Sequence, residues 1–161
     1  MISKEDIKHL EKIFPFWLDI NQNDRAKIIL SSRILSLKEN AIFFNSHDLD
    51  GLLFLKSGRL RFFLSHLEAR ELPLYYLNNM EIEFFEDFSD NSTSTILDIA
   101  FIVEKNSEIL LIPYSVLNLL RNKYSIMEKF LHNLTREKFS KSLLSLQNIL
   151  LIKRARKHFI L

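Results

Sequence analysis

"LLFLKSGRLRFF" fills residues 52–63, and its reading decides the fold. Two apolar runs, 52–55 and 60–64, flank a Lys-Ser-Gly-Arg centre. Each run is short, apolar and bounded by turn residues, the signature of a buried strand. Ser57-Gly58 reads as the turn between them. The same grain continues on both sides: "RILSLK" (33–38), "AIFF" (41–44), "RELPLYYL" (70–77), "ILDIAFIV" (96–103) and "SEILLIP" (107–113). Lys38-Glu39-Asn40 and Asn78-Asn79 supply further breaks. Seven or eight short strands at roughly 8–12-residue spacing predict a sandwich or a barrel-like roll. With only two glycines in the chain, Asn, Asp and Ser must provide most of the turn chemistry.

Helices flank these strands. Ile7, Leu10, Ile13 and Phe14 fall at helical spacing, with Ser3 as N-cap ahead of Asp6. Pro15 marks a break. A second helix is expected from Asn23 or Asp24 to Ser31, with Ala26, Ile29 and Leu30 on its buried side. Pro113 closes the last strand, "YSVLNLLRNKY" (114–124) is a short helix, and a long one without Pro or Gly runs from 125 to about 152. Its apolar residues form two stripes, Met127, Phe130, Leu131 and Leu134 first, then Phe139, Leu143, Leu146 and Leu150. The second is displaced by about a third of a turn. A helix that changes faces midway suits two duties, packing on its own roll and then on a second subunit. The expected division is 1–113 (helices and roll), 114–152 (short and long helices) and 153–161 (a basic end).

Composition removes several functions. The 161 residues include no cysteine, which excludes disulfides, iron–sulfur ligation and thiol chemistry. The charged start "MISKEDIKHLEKIF" is not a signal peptide, and no apolar run approaches the ~18 residues of a membrane span. A cytoplasmic protein is expected. Fourteen Phe read as core. Charge is segregated: residues 71–120 hold nine acidic side chains against Lys105 alone, whereas residues 121–161 hold ten basic against two acidic. An acidic body and a basic tail suit different partners.

The order of these parts resembles the sensory half of the Crp/Fnr family of transcription regulators. "RILSLKENAIFF" is similar to the family's first strands, with Glu39-Asn40 where Gly-Glu is usual. "LLFLKSGRLRFF" matches its strand, Ser-Gly and strand pattern. "EARELPLYYLNN" resembles the next hairpin, with Ala69-Arg70-Glu71 at a tip that is commonly Gly-Arg-Glu. "EILLIPYSVLNLL" resembles the last strand running into the short helix. The resemblance implies an α+β, mainly β fold: a double-stranded β-helix, or jelly-roll-like β-roll, with N-terminal helices and a long C-terminal dimerisation helix. It implies a homodimer through Phe139, Leu143, Leu146 and Leu150. It also implies DNA reading by a C-terminal winged helix-turn-helix that is not in this chain. "LIKRARKHFIL" (151–161) looks like that domain's first helix, with Lys153, Arg154, Arg156 and Lys157 near phosphates.

Cyclic AMP is not the expected ligand. Family members that bind it use a Gly-Glu-Leu turn followed by Arg-Ser-Ala, whose Arg pairs with the phosphate. Here "MEIEFF" (80–85) stands at the turn, Leu97 and Asp98 fall near the Arg and Ser, and no Arg occurs between Arg70 and Arg121. The stretch 78–95 carries five carboxylates and no Lys or Arg. One carboxylate about 4 Å from a phosphate costs on the order of 4 kcal/mol at an effective dielectric of about 20. Rescue by Lys129 or Arg136 is weak. Candidate effector-pocket residues are Glu81, Phe84, Phe85, Leu97, Phe130 and His132. Three readings stay open: a haem gas sensor with His132 or His9 as axial ligand, an uncharged small effector, or no small ligand at all. A stand-alone dimeric interaction module without DNA contact is the competing class.

No enzyme is expected. A cupin-type metal centre needs His-x-His, and no such pair occurs. Neither a nucleophile elbow nor a phosphate loop is present. Glu81 and Glu83 share a strand face, but exposed acidic strand residues are far commoner than acid–base pairs.

Overall fold

A computed structural model describes residues 1–44, 49–66, 71–85 and 97–159, the side chains of 65–66, 97–98 and 153–159 excepted. His47, the Ala69-Arg70 tip, Phe88 and most of the acidic stretch lie outside the described residues. So do the side chains of Leu97, Lys153, Arg154, Arg156 and Lys157.

The first helix, α1 (Lys4–Ile13), starts as its sequence dictates. The Ser3 hydroxyl accepts the Asp6 N–H at 3.2 Å, and the Asp6 carboxylate accepts the Ser3 N–H at 3.3 Å, a capping box. The buried Asp6 also anchors the helix, because Lys56 Nζ lies 2.9 Å from its Oδ1 and 2.8 Å from Glu108 Oε1. Burial alone would raise the Asp6 carboxyl, but hydrogen bonds from Lys56 and Ser3 hold it below the ordinary range. After a 3-10 turn at Trp17–Asp19, α2 (Gln22–Ser31) is capped by Asn21, whose Oδ1 accepts the Asp24 N–H at 2.8 Å.

The expected buried side of α2 needs correction. Asp24 and Ile28 are buried, Ile29 is half-buried, and Ala26 and Leu30 are exposed. A polar anchor sets this face: the Asp24 carboxylate accepts the Tyr124 hydroxyl at 2.7 Å and Lys123 Nζ at 2.7 Å. Hydropathy cannot see such an anchor.

The strand count also differs. Among the described residues there are six strands: β1 (Arg33–Leu37), β2 (Ile42–Phe44), β3 (Gly51–His66), β4 (Glu71–Leu77), β5 (Ile82–Phe85) and β6 (Leu97–Pro113). Ser57-Gly58 does not reverse the chain. It lies inside the 16-residue β3, which pairs antiparallel with the 17-residue β6 from Gly51↔Pro113 to His66↔Leu97. Register shifts between Leu55 and Leu60 bend this ladder in the middle. Gly58 makes the bend possible. Its φ is +114°, and a Cβ there would collide with the Ser107 side chain and backbone. Its N–H is received by Asn79 Oδ1 at 2.8 Å.

The bend divides the sheet into two layers. One consists of β5, the first part of β3, the last part of β6, and β1; the other of β4, the rest of β3, the start of β6, and β2. Strand alternation then sorts the core. Leu52, Phe54, Phe84, Leu110 and Ile112 face the helices, while Leu53, Leu55, Phe85, Ile109 and Leu111 face the roll interior with Phe62 and Phe101.

Two C-terminal helices complete the fold. The shorter, α3 (Tyr114–Lys123), buries Leu117 and Leu120, and α4 (Ser125–Phe159) buries Met127 and Leu131 in the helix-side cluster. No described helix is long and apolar enough to cross a membrane.

Candidate functional site: the roll–helix junction

The site follows from what α4 does after its first three turns. Met127, Leu131 and Leu134 lie on one face at spacings of four and three, and the next residue on that face is Lys138. Leu134 packs on the helix-side cluster. Lys138 instead reaches the mouth of the roll, where its Nζ lies 3.2 Å from Glu83 Oε1 and donates to the Phe84 carbonyl oxygen at 3.2 Å. The same ammonium stands 4.3 Å from the Phe85 ring centroid. Further along, the Ser145 hydroxyl donates to the Leu74 carbonyl oxygen, and Leu146 packs on the roll-side cluster.

Glu83 is 6% exposed. A buried carboxylate needs both charge compensation and hydrogen bonds. Lys138 gives the first, and the Tyr75 hydroxyl gives the second by donating to Glu83 Oε2 at 2.8 Å. Burial and the adjacent carboxylate push the Tyr75 phenol up, so it stays protonated and remains a donor. Tyr75 is also stacked on Phe62, with ring centroids 5.0 Å apart. Sequence reasoning missed Lys138. The signal was available, since the first stripe extended at heptad spacing lands on it.

The candidate pocket residues do not meet in one place. Phe84 and Phe85 are adjacent in β5 and point to opposite faces, Phe84 toward the helices and Phe85 into the roll. Phe130 packs on the N-terminal segment, with ring centroids 5.5 Å from Phe14 and 5.4 Å from Phe16. The Glu81 carboxylate accepts the Asn78 N–H at 2.8 Å in the turn before β5. His132 is exposed on α4. Leu97 has its backbone in β6.

A cleft of about 460 Å³ opens between the roll and the helices at Phe54, Glu81, Ile82 and Leu134, whereas a cavity inside the roll is small. The cavity lined by Phe43, Phe44, Leu49, Asp50, Phe85, Ile99 and Phe101 measures about 10 Å³. A drug-sized ligand occupies roughly 300–1,000 Å³. His9 packs its ring 5.0 Å from that of Phe54, and His132 faces outward. No group of three or more metal-ligating side chains occurs among the described residues.

The outer face of α4 has no cover. Phe139 is 66% exposed, Leu143 44% and Leu150 62%. Leu146, expected with them, belongs to the inner face instead.

A bent antiparallel roll followed by a short and a long helix is the cyclic-nucleotide-binding type of β-roll. Neither a family model nor a curated protein matches the sequence. Solved structures match the fold. A chain described as a transcriptional regulator of the Crp/Fnr family from Eubacterium rectale superposes with a TM-score of 0.73 at 26% identity. The match covers 86% of this chain and 64% of that one. The heme domain of CooA from Rhodospirillum rubrum gives 0.55 at 14% identity, over 80% of this chain and 90% of that one. Thermus thermophilus catabolite activator protein gives 0.54 at 17%, over 84% and 63%. This chain has the fold of the sensor domain of Crp/Fnr-type regulators.

Proposed function

We propose that this domain is the sensing and dimerising part of a cytoplasmic, DNA-binding transcription regulator that does not respond to cyclic AMP. It is a binding protein and not an enzyme. In this reading α4 pairs with α4 of a second copy through Phe139, Leu143 and Leu150, and a signal at the roll–helix junction changes how the two helices meet. That change reorients DNA-reading units carried beyond α4.

The observation that carries the reading is α4 itself, bound to the roll by its inner face and bare and apolar on its outer one. Unpartnered apolar stripes of this kind mark interaction surfaces. Fully burying a Leu or Phe is worth about 1.5–3 kcal/mol, so covering the exposed parts of Phe139, Leu143 and Leu150 favours pairing. Against cyclic AMP stand the lack of any Arg between Arg70 and Arg121 and the engagement of the nearby Lys138 ammonium by the buried Glu83 carboxylate. Sedimentation tests the dimer: the unaltered chain should run at twice the monomer mass, and Leu143→Asp with Leu150→Asp at monomer mass. An unchanged mass would remove the seam. Micromolar binding of cyclic AMP by calorimetry would remove the charge argument.

A further inference from the structure

The acidic roll already holds a ligand-like group, and it is a cation. The Lys138 ammonium has three neighbours that suit a primary ammonium's three N–H donors. They are the Glu83 carboxylate at 3.2 Å, the Phe84 carbonyl oxygen at 3.2 Å and the Phe85 ring face at 4.3 Å. Tyr75 fixes the carboxylate from its other oxygen at 2.8 Å. Every acceptor in this box belongs to β5, and Tyr75, which donates to the carboxylate, belongs to β4. The ammonium alone comes from α4, so the box stays complete when the helix leaves.

We propose that the roll carries a primary-ammonium site built from Glu83, the Phe84 carbonyl, Phe85 and Tyr75, that Lys138 is its resident occupant, and that an alkylamine able to replace Lys138 is the kind of ligand this domain senses. The proposal rests on the regulator reading for its consequence, because displacing Lys138 unfastens α4 from the roll at the junction. The chemical class follows from the box. A quaternary ammonium has no N–H for the carbonyl and carboxylate, and an anion meets a buried carboxylate. The Arg–phosphate pairing of cyclic-AMP-binding family members is thus inverted here, with the helix supplying a cation to an anionic roll.

Removing the tether exposes the site to a soluble probe. Lys138 competes as a tethered group at an effective concentration on the order of millimolar, so binding is read most cleanly in Lys138→Ala. Lys141→Ala serves as background, because Lys141 Nζ lies 5.7 Å from the Tyr75 ring centroid and is close enough to swing in. The probe is n-propylammonium chloride, equal in length to the atoms removed, with sodium chloride and tetramethylammonium chloride at matched ionic strength as controls. The unfolding temperature of the doubly substituted chain should fall below that of Lys141→Ala. It should then rise with the logarithm of propylammonium concentration, as single-site binding requires, and adding Glu83→Gln should abolish the rise. Equal effects of all three salts, or a rise that survives Glu83→Gln, would overturn the proposal. Should Lys138→Ala leave the chain unfolded, propylammonium should refold it. Failure to refold at concentrations the wild type tolerates would overturn the proposal equally. The readout is the propylammonium-dependent shift at one fixed protein concentration, which requires neither dimerisation nor DNA binding and so can fail or succeed apart from the regulator reading.

Discussion

Replacing Lys138 by Met while keeping the shape of its stem leaves Glu83 buried with the Tyr75 hydroxyl as its remaining described polar partner. Breaking a buried pair from one side costs about 3–5 kcal/mol, because the partner charge is left uncompensated. The Lys138 side chain is 18% exposed and that of Glu83 6%, so partial hydration places the cost near the lower end, about 3 kcal/mol. Glu83→Gln keeps an acceptor for Tyr75 and strands a lysine that can turn toward solvent, which sets its cost at about 1–2 kcal/mol. The double variant strands neither charge. It should lose less than the sum of the singles, with a coupling of about 2 kcal/mol. Urea unfolding at one fixed protein concentration measures all four chains, because a dimer's stability depends on concentration. Singles that add to within about 0.5 kcal/mol would mean that the pair is incidental, and the junction would lose its fastening.

Two other substitutions probe the frame around the site. Gly58→Ala should lower stability by about 2–4 kcal/mol in urea, since the residue sits at positive φ with Ser107 where a Cβ would go; an unchanged midpoint would mean that the bend does not depend on it. Asp24 is held down to about 2 by hydrogen bonds from Lys123 and the Tyr124 hydroxyl. A depressed carboxyl contributes stability above its unfolded value near 3.9 and loses it as the pH falls toward 2. Asp24→Asn should therefore be less stable than the parent at pH 7 and converge with it at about pH 2, as thermal melts across that range would show.

Much of the frame was legible in the residues. Ser3 and Asp6 announced a capping box and formed one. The alternating and apolar runs located the strands, and the order of parts pointed to the roll. Ser57-Gly58 misled because a hairpin turn and a bulge use the same residue for the same conformational reason. What separates them is the partner strand at Ser107, about 50 positions away, and no local window contains it. Asp24 misled in the opposite way, since a buried carboxylate reads as solvent-facing until Lys123 and Tyr124 are in place around it. Phe84 and Phe85 could have been separated from sequence, because adjacent strand residues cannot share a face. Lys138 was legible as well, seven residues after Leu131 and four after Leu134. Leu146 was harder: its place against the roll depends on how closely α4 approaches β4, which is fixed where Ser145 meets the Leu74 carbonyl.

The outward stripe of α4 as a two-fold seam is the claim on which the account rests, and the absence of cysteine allows a direct test. A single Leu143→Cys variant places one thiol on the stripe, and a disulfide to the same residue of a second copy requires Cα atoms within roughly 4.4–6.8 Å. Leu146→Cys is the control, because that side chain packs on its own roll. Mild oxidation followed by non-reducing electrophoresis should give a covalent dimer rapidly for Leu143→Cys and slowly or not at all for Leu146→Cys. Monomer from both variants, or equal rates of cross-linking, would contradict pairing through this face.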